Sequence, residues 1–159
     1  MDKKYLDKFY NNMSNSKEYD IFALSLPIAL IHKKMYQETE SFLKDNYDLL
    51  HSDIDVLATL YFNENKLSPT ELYNATVFSS GGMTKVLKKL QNRALISRMA
   101  SSTDKRIMFV CLTLKGEELI KECLYQIARS REEMFSNLSQ KEKEDLKKNL
   151  SKITYSFVE

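Results

Sequence analysis

Residues 68–92 read SPTELYNATVFSSGGMTKVLKKLQN, and the way this stretch folds decides the architecture. Ser68 is placed to cap a helix, Pro69 suits the first helical position, and Glu71 stands where a capping box needs an acid. Leu67 and Leu72 can close a hydrophobic staple across that cap. A short helix from Pro69 to about Ala75 follows, and Thr76–Ser80 makes a brief turn. From Met83 onward, Met83, Val86, Leu87 and Leu90 fall at i, i+3, i+4 and i+7, which is one apolar stripe. Lys85, Lys88, Lys89 and Asn92 repeat that spacing one face over, so the lysines are expected to point away from the core. Such a helix describes a solvated surface element equally well, but it also fits a DNA major groove. Two short helices joined by a tight turn, the second one basic, form the helix-turn-helix pattern.

Downstream, Leu95–Met99 and Arg106–Leu112 are strand-like runs separated by the polar tip ASSTDK. A hairpin after a helix-turn-helix is a wing, and its tip carries Lys105 and Arg106 within reach of a phosphate backbone or minor groove. Residues 81–106 hold seven basic groups against the single acid Asp104, a local balance of +6 in a chain whose total is +2. Positive charge is thus concentrated where a groove-reading surface needs it.

A length of 159 residues suits one domain with a real core, and three glycines and two prolines favour long helices over a loop-rich fold. The pI near 8.4 is too mild to point to DNA by itself. No apolar run approaches a membrane span, and MDKKYLDKFYNN lacks a signal peptide's apolar core, so a soluble, cytoplasmic protein is expected. Cys111 and Cys123 lie in apolar surroundings and read as buried packing in a reducing compartment. His32 and His51 have no companions at metal spacing. With no phosphate loop, nucleophile elbow or acid–base cluster, the expectation is a non-enzyme without cofactor or metal.

Further out, Met1–Glu18 reads as a frayed arm or a short helix. A long helix should span Tyr19 to about Lys44, kinked or restarted at Pro27. Ser52 and Asp55 suggest a capping box opening a helix from Asp53 to about Glu64, with Ile54, Leu57, Ala58 and Tyr61 inward. Thr113 should cap a helix reaching about Ser136, and Ser139 with Glu142 a last helix carrying Leu146, Leu150, Ile153 and Phe157. Long apolar helices at both chain ends suggest an intertwined homodimer, whose two-fold axis would set two reading helices on successive major grooves.

The order of these elements, with SPTEL, SSGGMTK, LISR, STDKR and LTLKG, resembles the MarR family of winged helix-turn-helix regulators over roughly Asp53 to Leu119. Asp104 and Arg106, then Leu112, Thr113 and Gly116, match the family's wing signature. The resemblance implies a homodimeric repressor that binds a pseudopalindromic operator on double-stranded DNA and releases it when a small ligand binds or a cysteine oxidises. It implies that Arg106 enters the minor groove and that Asp104 braces the wing. LSPTELY followed by SSGGMTK is similar to the branch responsive to urate and phenolic compounds, in which Asp55 and Arg98 fall on an aspartate and an arginine of the ligand site. The branch's tryptophan is missing, and Val86 stands where its second arginine belongs. A different small aromatic or anionic ligand is the expectation.

The fold expected is mainly α (α+β), a winged helix-turn-helix with long N- and C-terminal dimerisation helices. Residues 1–50 and 113–159 would supply the dimerisation helices and 51–112 the DNA-binding core. The candidate DNA contacts are Ser68, Ser79, Ser80, Gly81, Thr84, Lys85, Lys88, Lys89, Lys105 and Arg106, with Asp104 and Arg98 as wing brace. Asp55, which also suits a helix cap, and Arg98 are the candidate ligand residues. The rival reading is a winged-helix protein-interaction module without specific DNA binding.

Overall fold

The computed structural model describes residues 2–15, 17–76, 82–101 and 108–157. The chain divides into two compact units, Met1–His51 and Ser52–Glu159. In the first, the N-terminal arm is helical: α1 (Lys3–Ser14) starts at Asp2, whose side chain accepts from the Lys4 N–H at 3.0 Å. Helix α2 (Phe22–Tyr47) contains Pro27 and does not restart there. The helix runs on through the ring: Pro27 withholds one donor, and the turns after it still form. Asp48 closes α2 in the left-handed region, with φ 50°. The ring of Tyr36 stacks on that of His51, centroids 3.9 Å apart.

The second unit starts with the body of α3 (His51–Phe62). Because this helix begins at His51, Ser52 lies inside its first turn, and the expected cap with Asp55 does not form. Its buried face is wider than the expected stripe, comprising Asp53, Ile54, Val56, Leu57 and Leu60, while Ala58 and Tyr61 are half-buried. After Glu64 and Asn65, both left-handed, come β1 (Lys66–Leu67) and α4 (Pro69–Ala75). Next are α5 (Met83–Asn92), β2 (Ile96–Ala100), β3 (Met108–Leu112), α6 (Leu114–Met134) and α7 (Gln140–Tyr155).

The strands form an antiparallel sheet in the order β1-β3-β2. Ile96 pairs with Leu112 and Ala100 with Met108, which is the expected hairpin, begun one residue later than the sequence suggests. Strand β1 was not expected: Lys66 opposes Cys111 and Leu67 opposes Val110. Around this sheet lie Leu57, Leu60, Leu72, Leu90, Leu95, Val110 and Ile120, each fully or almost fully buried. Each such side chain favours the folded state by about 1.5–3 kcal/mol before chain entropy is counted.

A tight corner fixes the hairpin to the helices on either side. At the end of α5, Ala94 is left-handed (φ 56°), its N–H donates to Gln91 O and that of Leu95 to Leu90 O. This is a Schellman ending made without glycine. The Thr113 hydroxyl donates to Ala94 O at 2.8 Å and accepts from the Gly116 N–H at 3.0 Å, and the Thr113 N–H donates to Leu95 O. Gly116 lies so close that a Cβ there would press on Leu95 O and stand 3.0 Å from Leu112 Cδ1. Lys115 Nζ adds a bond to Arg93 O at 3.1 Å. Helix α7 opens with the expected capping box of Ser139 and Glu142.

Candidate nucleic-acid interface

The basic surface is built from α4 upward. Ser68 Oγ accepts from the Glu71 N–H at 3.2 Å, and Glu71 Oε2 accepts from the Ser68 N–H at 2.8 Å. Hydrogen bonds to the carboxylate, first from the Ser68 hydroxyl and then from the Ser68 N–H, hold the Glu71 carboxyl below its ordinary range. Ser68 therefore works as a cap, fixing the start of the helix that precedes the turn.

On α5, Leu87 and Leu90 are buried and Met83 and Val86 half-buried, which is the expected inward stripe. Thr84, Lys85 and Lys88 are exposed on the other side. Lys89 departs from the outward set. Its Nζ donates to Asp53 Oδ2 at 2.7 Å, and the Asp53 side chain is only 1% exposed. A carboxylate cut off from water demands a partner, and the long Lys89 stem lets its ammonium turn inward to meet it. Asp53 is the residue that sequence reasoning missed, because an acid in a helix's first turn reads as ordinary dipole complement.

Arg98 is exposed on β2, opposite Val110. Ser79, Ser80, Gly81, Asp104, Lys105 and Arg106 lie outside the described residues. Asp55 is half-buried on α3, and its Oδ2 is buried with no hydrogen-bond partner among the described residues. Burial pushes its carboxyl up to about 6. The two cysteines are free and buried, and desolvation by burial pushes the Cys123 thiol up to about 11, so this thiol is protonated at neutral pH.

Among the described residues, such a surface offers two exposed ammonium groups and a hydroxyl on one helix face, backed by leucines and joined to a hairpin. Cations at that spacing suit phosphates, and the hydroxyl suits a phosphate or a base edge.

Comparison with known proteins agrees with this geometry. The family described as Transcriptional regulator SarA/Rot matches residues 38–123. The regulator SarZ of Staphylococcus aureus is 31% identical over 118 residues, covering 74% of this chain and 77% of SarZ. An uncharacterised helix-turn-helix regulator of Bacillus subtilis, YdgJ, is 31% identical over 87 residues, and the chain spans about half of that relative's length, 53%. The crystal structure of the transcriptional regulator BldR from Sulfolobus solfataricus superposes with a TM-score of 0.74 at 26% identity, over 89% of this chain and 99% of BldR. With the winged helix-turn-helix built and its relatives named as regulators, the chain belongs to the SarA/Rot family of transcriptional regulators, winged-helix proteins of the MarR type.

Proposed function

We propose that the protein is a homodimeric, sequence-specific DNA-binding regulator that acts as a repressor and leaves a pseudopalindromic operator when a small aromatic or anionic ligand binds. One observation carries this reading: α5 buries Leu87 and Leu90 while Thr84, Lys85 and Lys88 face solvent, between a capped helix and a hairpin. In this reading Lys85 and Lys88 meet phosphates or base edges in the major groove, and Thr84 a phosphate or base. Ser79, Ser80 and Gly81 bring backbone N–H groups to the same strand, Lys105 and Arg106 serve the wing, and Asp104 and Arg98 brace it. Asp55, with its unpartnered Oδ2, and Arg98 are the ligand residues. Dimerisation is supported by exposed apolar residues on α2, among them Leu24 and Ile28, and by Leu150 and Ile153 on α7. Among the described residues no helix is long and apolar enough to cross a membrane. In this reading the protein works where the operator is, in the cytoplasm of a cell without a nucleus.

The test is fluorescence anisotropy of the full chain on duplexes from its own promoter and on scrambled duplexes, across a salt series. The expected result is a Kd near ~10⁻⁸ M or tighter on the operator, at least ~10³-fold below that on scrambled DNA at physiological salt. If unbiased site selection enriches no sequence, the reading falls, and the fold serves as a protein-interaction module.

A further inference from the structure

The Asp53–Lys89 pair lies beside the reading surface without belonging to it. We propose that it is a positioning device: it fixes the rotation of α5 about its own axis, and so the face that Thr84, Lys85 and Lys88 present, while Lys89 makes no DNA contact itself. The proposal rests on the DNA-reading function above and deepens it.

Three features converge on this role. The pair joins the first turn of α3 to the last turn of α5, across 36 residues of sequence, and each charge sits at the helix end whose dipole favours it. The corner at Ala94 anchors only the end of α5; along its inner face Leu87 and Leu90 supply packing, and apolar contact is non-directional: it holds a helix down without strongly fixing its rotation. A hydrogen bond of 2.7 Å to a carboxylate that is 1% exposed is directional and cannot be exchanged for water without cost.

The leverage is large. With side chains, a helix has an outer radius of about 5–6 Å, so a turn of about 20° moves a side-chain tip by about 2 Å. That displacement exceeds the range over which a hydrogen bond survives. An apolar pair in the same place would hold the helices together equally well or better, so retaining two charges fits a role in setting register.

Lys85 and Lys88 supply the contrast, since both are exposed on the same helix. A lysine on a phosphate adds about one ion to the salt dependence of binding, whereas a lysine that only orients its neighbours adds none.

The experiment compares full-length wild type with Lys89→Met, Asp53→Asn, the double variant D53N/K89M and the conservative Lys89→Arg. Operators are first selected from random duplexes with the wild type, then Kd on operator and on scrambled DNA is followed across salt, with thermal unfolding alongside. The double variant replaces both charges by neutral groups of similar size, so it keeps the fold even if Lys89→Met alone does not. It is expected to lose about tenfold to a hundredfold in operator affinity, the scale of one misread base pair, with its salt slope and scrambled-DNA affinity unchanged. Lys89→Arg, able to reach Asp53, restores most of the preference. A double variant that reads the operator like wild type overturns the proposal, and so does a slope reduced by about one with scrambled affinity falling in step, which makes Lys89 a phosphate contact. If the wild type enriches no operator at all, it is the DNA-reading function that fails, and the positioning role goes with it.

Discussion

In the winged core the large aliphatic side chains are inside: Leu57, Leu60, Leu72 and Leu90 are all fully buried. In the first half of α2 the same chemistry faces outward, with Leu24 68% and Ile28 50% exposed and Ile21 and Ile31 exposed as well. Those four positions fall at i, i+3, i+7 and i+10, so they form one continuous helix face. The core buries its leucines within one chain, whereas α2 carries an exposed apolar face. Isolated exposed aliphatics need no explanation, but a contiguous stripe of them marks an interaction site. Stability should therefore fail through the core, and assembly through α2, with little crossing between the two.

The harshest break in the core is Gly116→Ala. The added Cβ meets the Leu95 carbonyl, a backbone atom already held by Thr113, so nothing nearby yields cheaply. The expected loss is about 3–5 kcal/mol, the range of severe core overpacking, read as a fall in the urea midpoint. Operator binding by the surviving folded fraction should keep its salt slope. A variant as stable as wild type would show that α6 slides freely on the hairpin.

On the other side of the comparison, Leu24→Asp should leave the unfolding midpoint within experimental error, because its side chain is 68% exposed in the single chain. In the proposed homodimer both copies carry the substitution, so association should weaken by about 2–4 kcal/mol, from two leucines each with roughly two-thirds of its surface still to bury, or roughly 30- to 700-fold in dimer Kd. Sedimentation equilibrium measures this directly. An unchanged mass distribution would mean that the α2 face is covered by something other than a second copy.

The core itself contains one uncomfortable group, and it predicts a pH effect of unusual sign. Burial raises the Asp55 carboxyl from 3.8 to about 6 in the folded chain. The native state therefore holds this proton more tightly than the unfolded state, and Asp55 lowers stability as pH rises from about 4 to about 6. Asp55→Asn removes that slope. Because the residue is only half-buried, solvent screening reduces the gain at pH 7 to about 1 kcal/mol. Urea midpoints at pH 4.5 and pH 7 distinguish the variants: wild type should lose more between them than D55N, and equal losses would place the carboxyl in contact with water.

Legibility followed the range of the forces involved. The caps at Ser68, Thr113 and Ser139 were readable because donor and acceptor lie within three residues of each other. The inward stripe of α5 was readable because Leu87 and Leu90 repeat at the helix period. Lys89 was misread because periodicity places it outside, and what turns it inward is Asp53, 36 residues away. Strand β1 escaped for the same reason, since two residues carry no pattern and Lys66 finds its partner only at Cys111. Pro27 suggests a kink or a restart, and the helix does not restart there, because one missing donor is not enough to end it. Helix ends were blurred for a further reason: Asp48, Glu64 and Ala94 take the left-handed conformation that glycine usually marks.

Ala94 supplies the smallest and finest test of the corner. Its left-handed backbone sets its methyl against its own carbonyl, a strain of roughly 1–2 kcal/mol for an L-residue. Glycine would remove that strain but adds freedom to the unfolded chain, worth about 0.4–1 kcal/mol in the opposite direction. Ala94→Gly should therefore stabilise by about 0.5–1 kcal/mol, visible as a higher urea midpoint at unchanged m-value. The contrast with Gly116 is direct, since Thr113 bonds to Ala94 O and accepts from the Gly116 N–H, so both residues belong to one corner. At Gly116 a methyl is excluded by a neighbouring carbonyl, whereas at Ala94 a methyl is tolerated only because the Schellman bonds hold the turn in place. If Ala94→Gly instead destabilises the protein, the Ala94 methyl contributes packing that outweighs its backbone strain, and the corner is held by side chains as much as by hydrogen bonds.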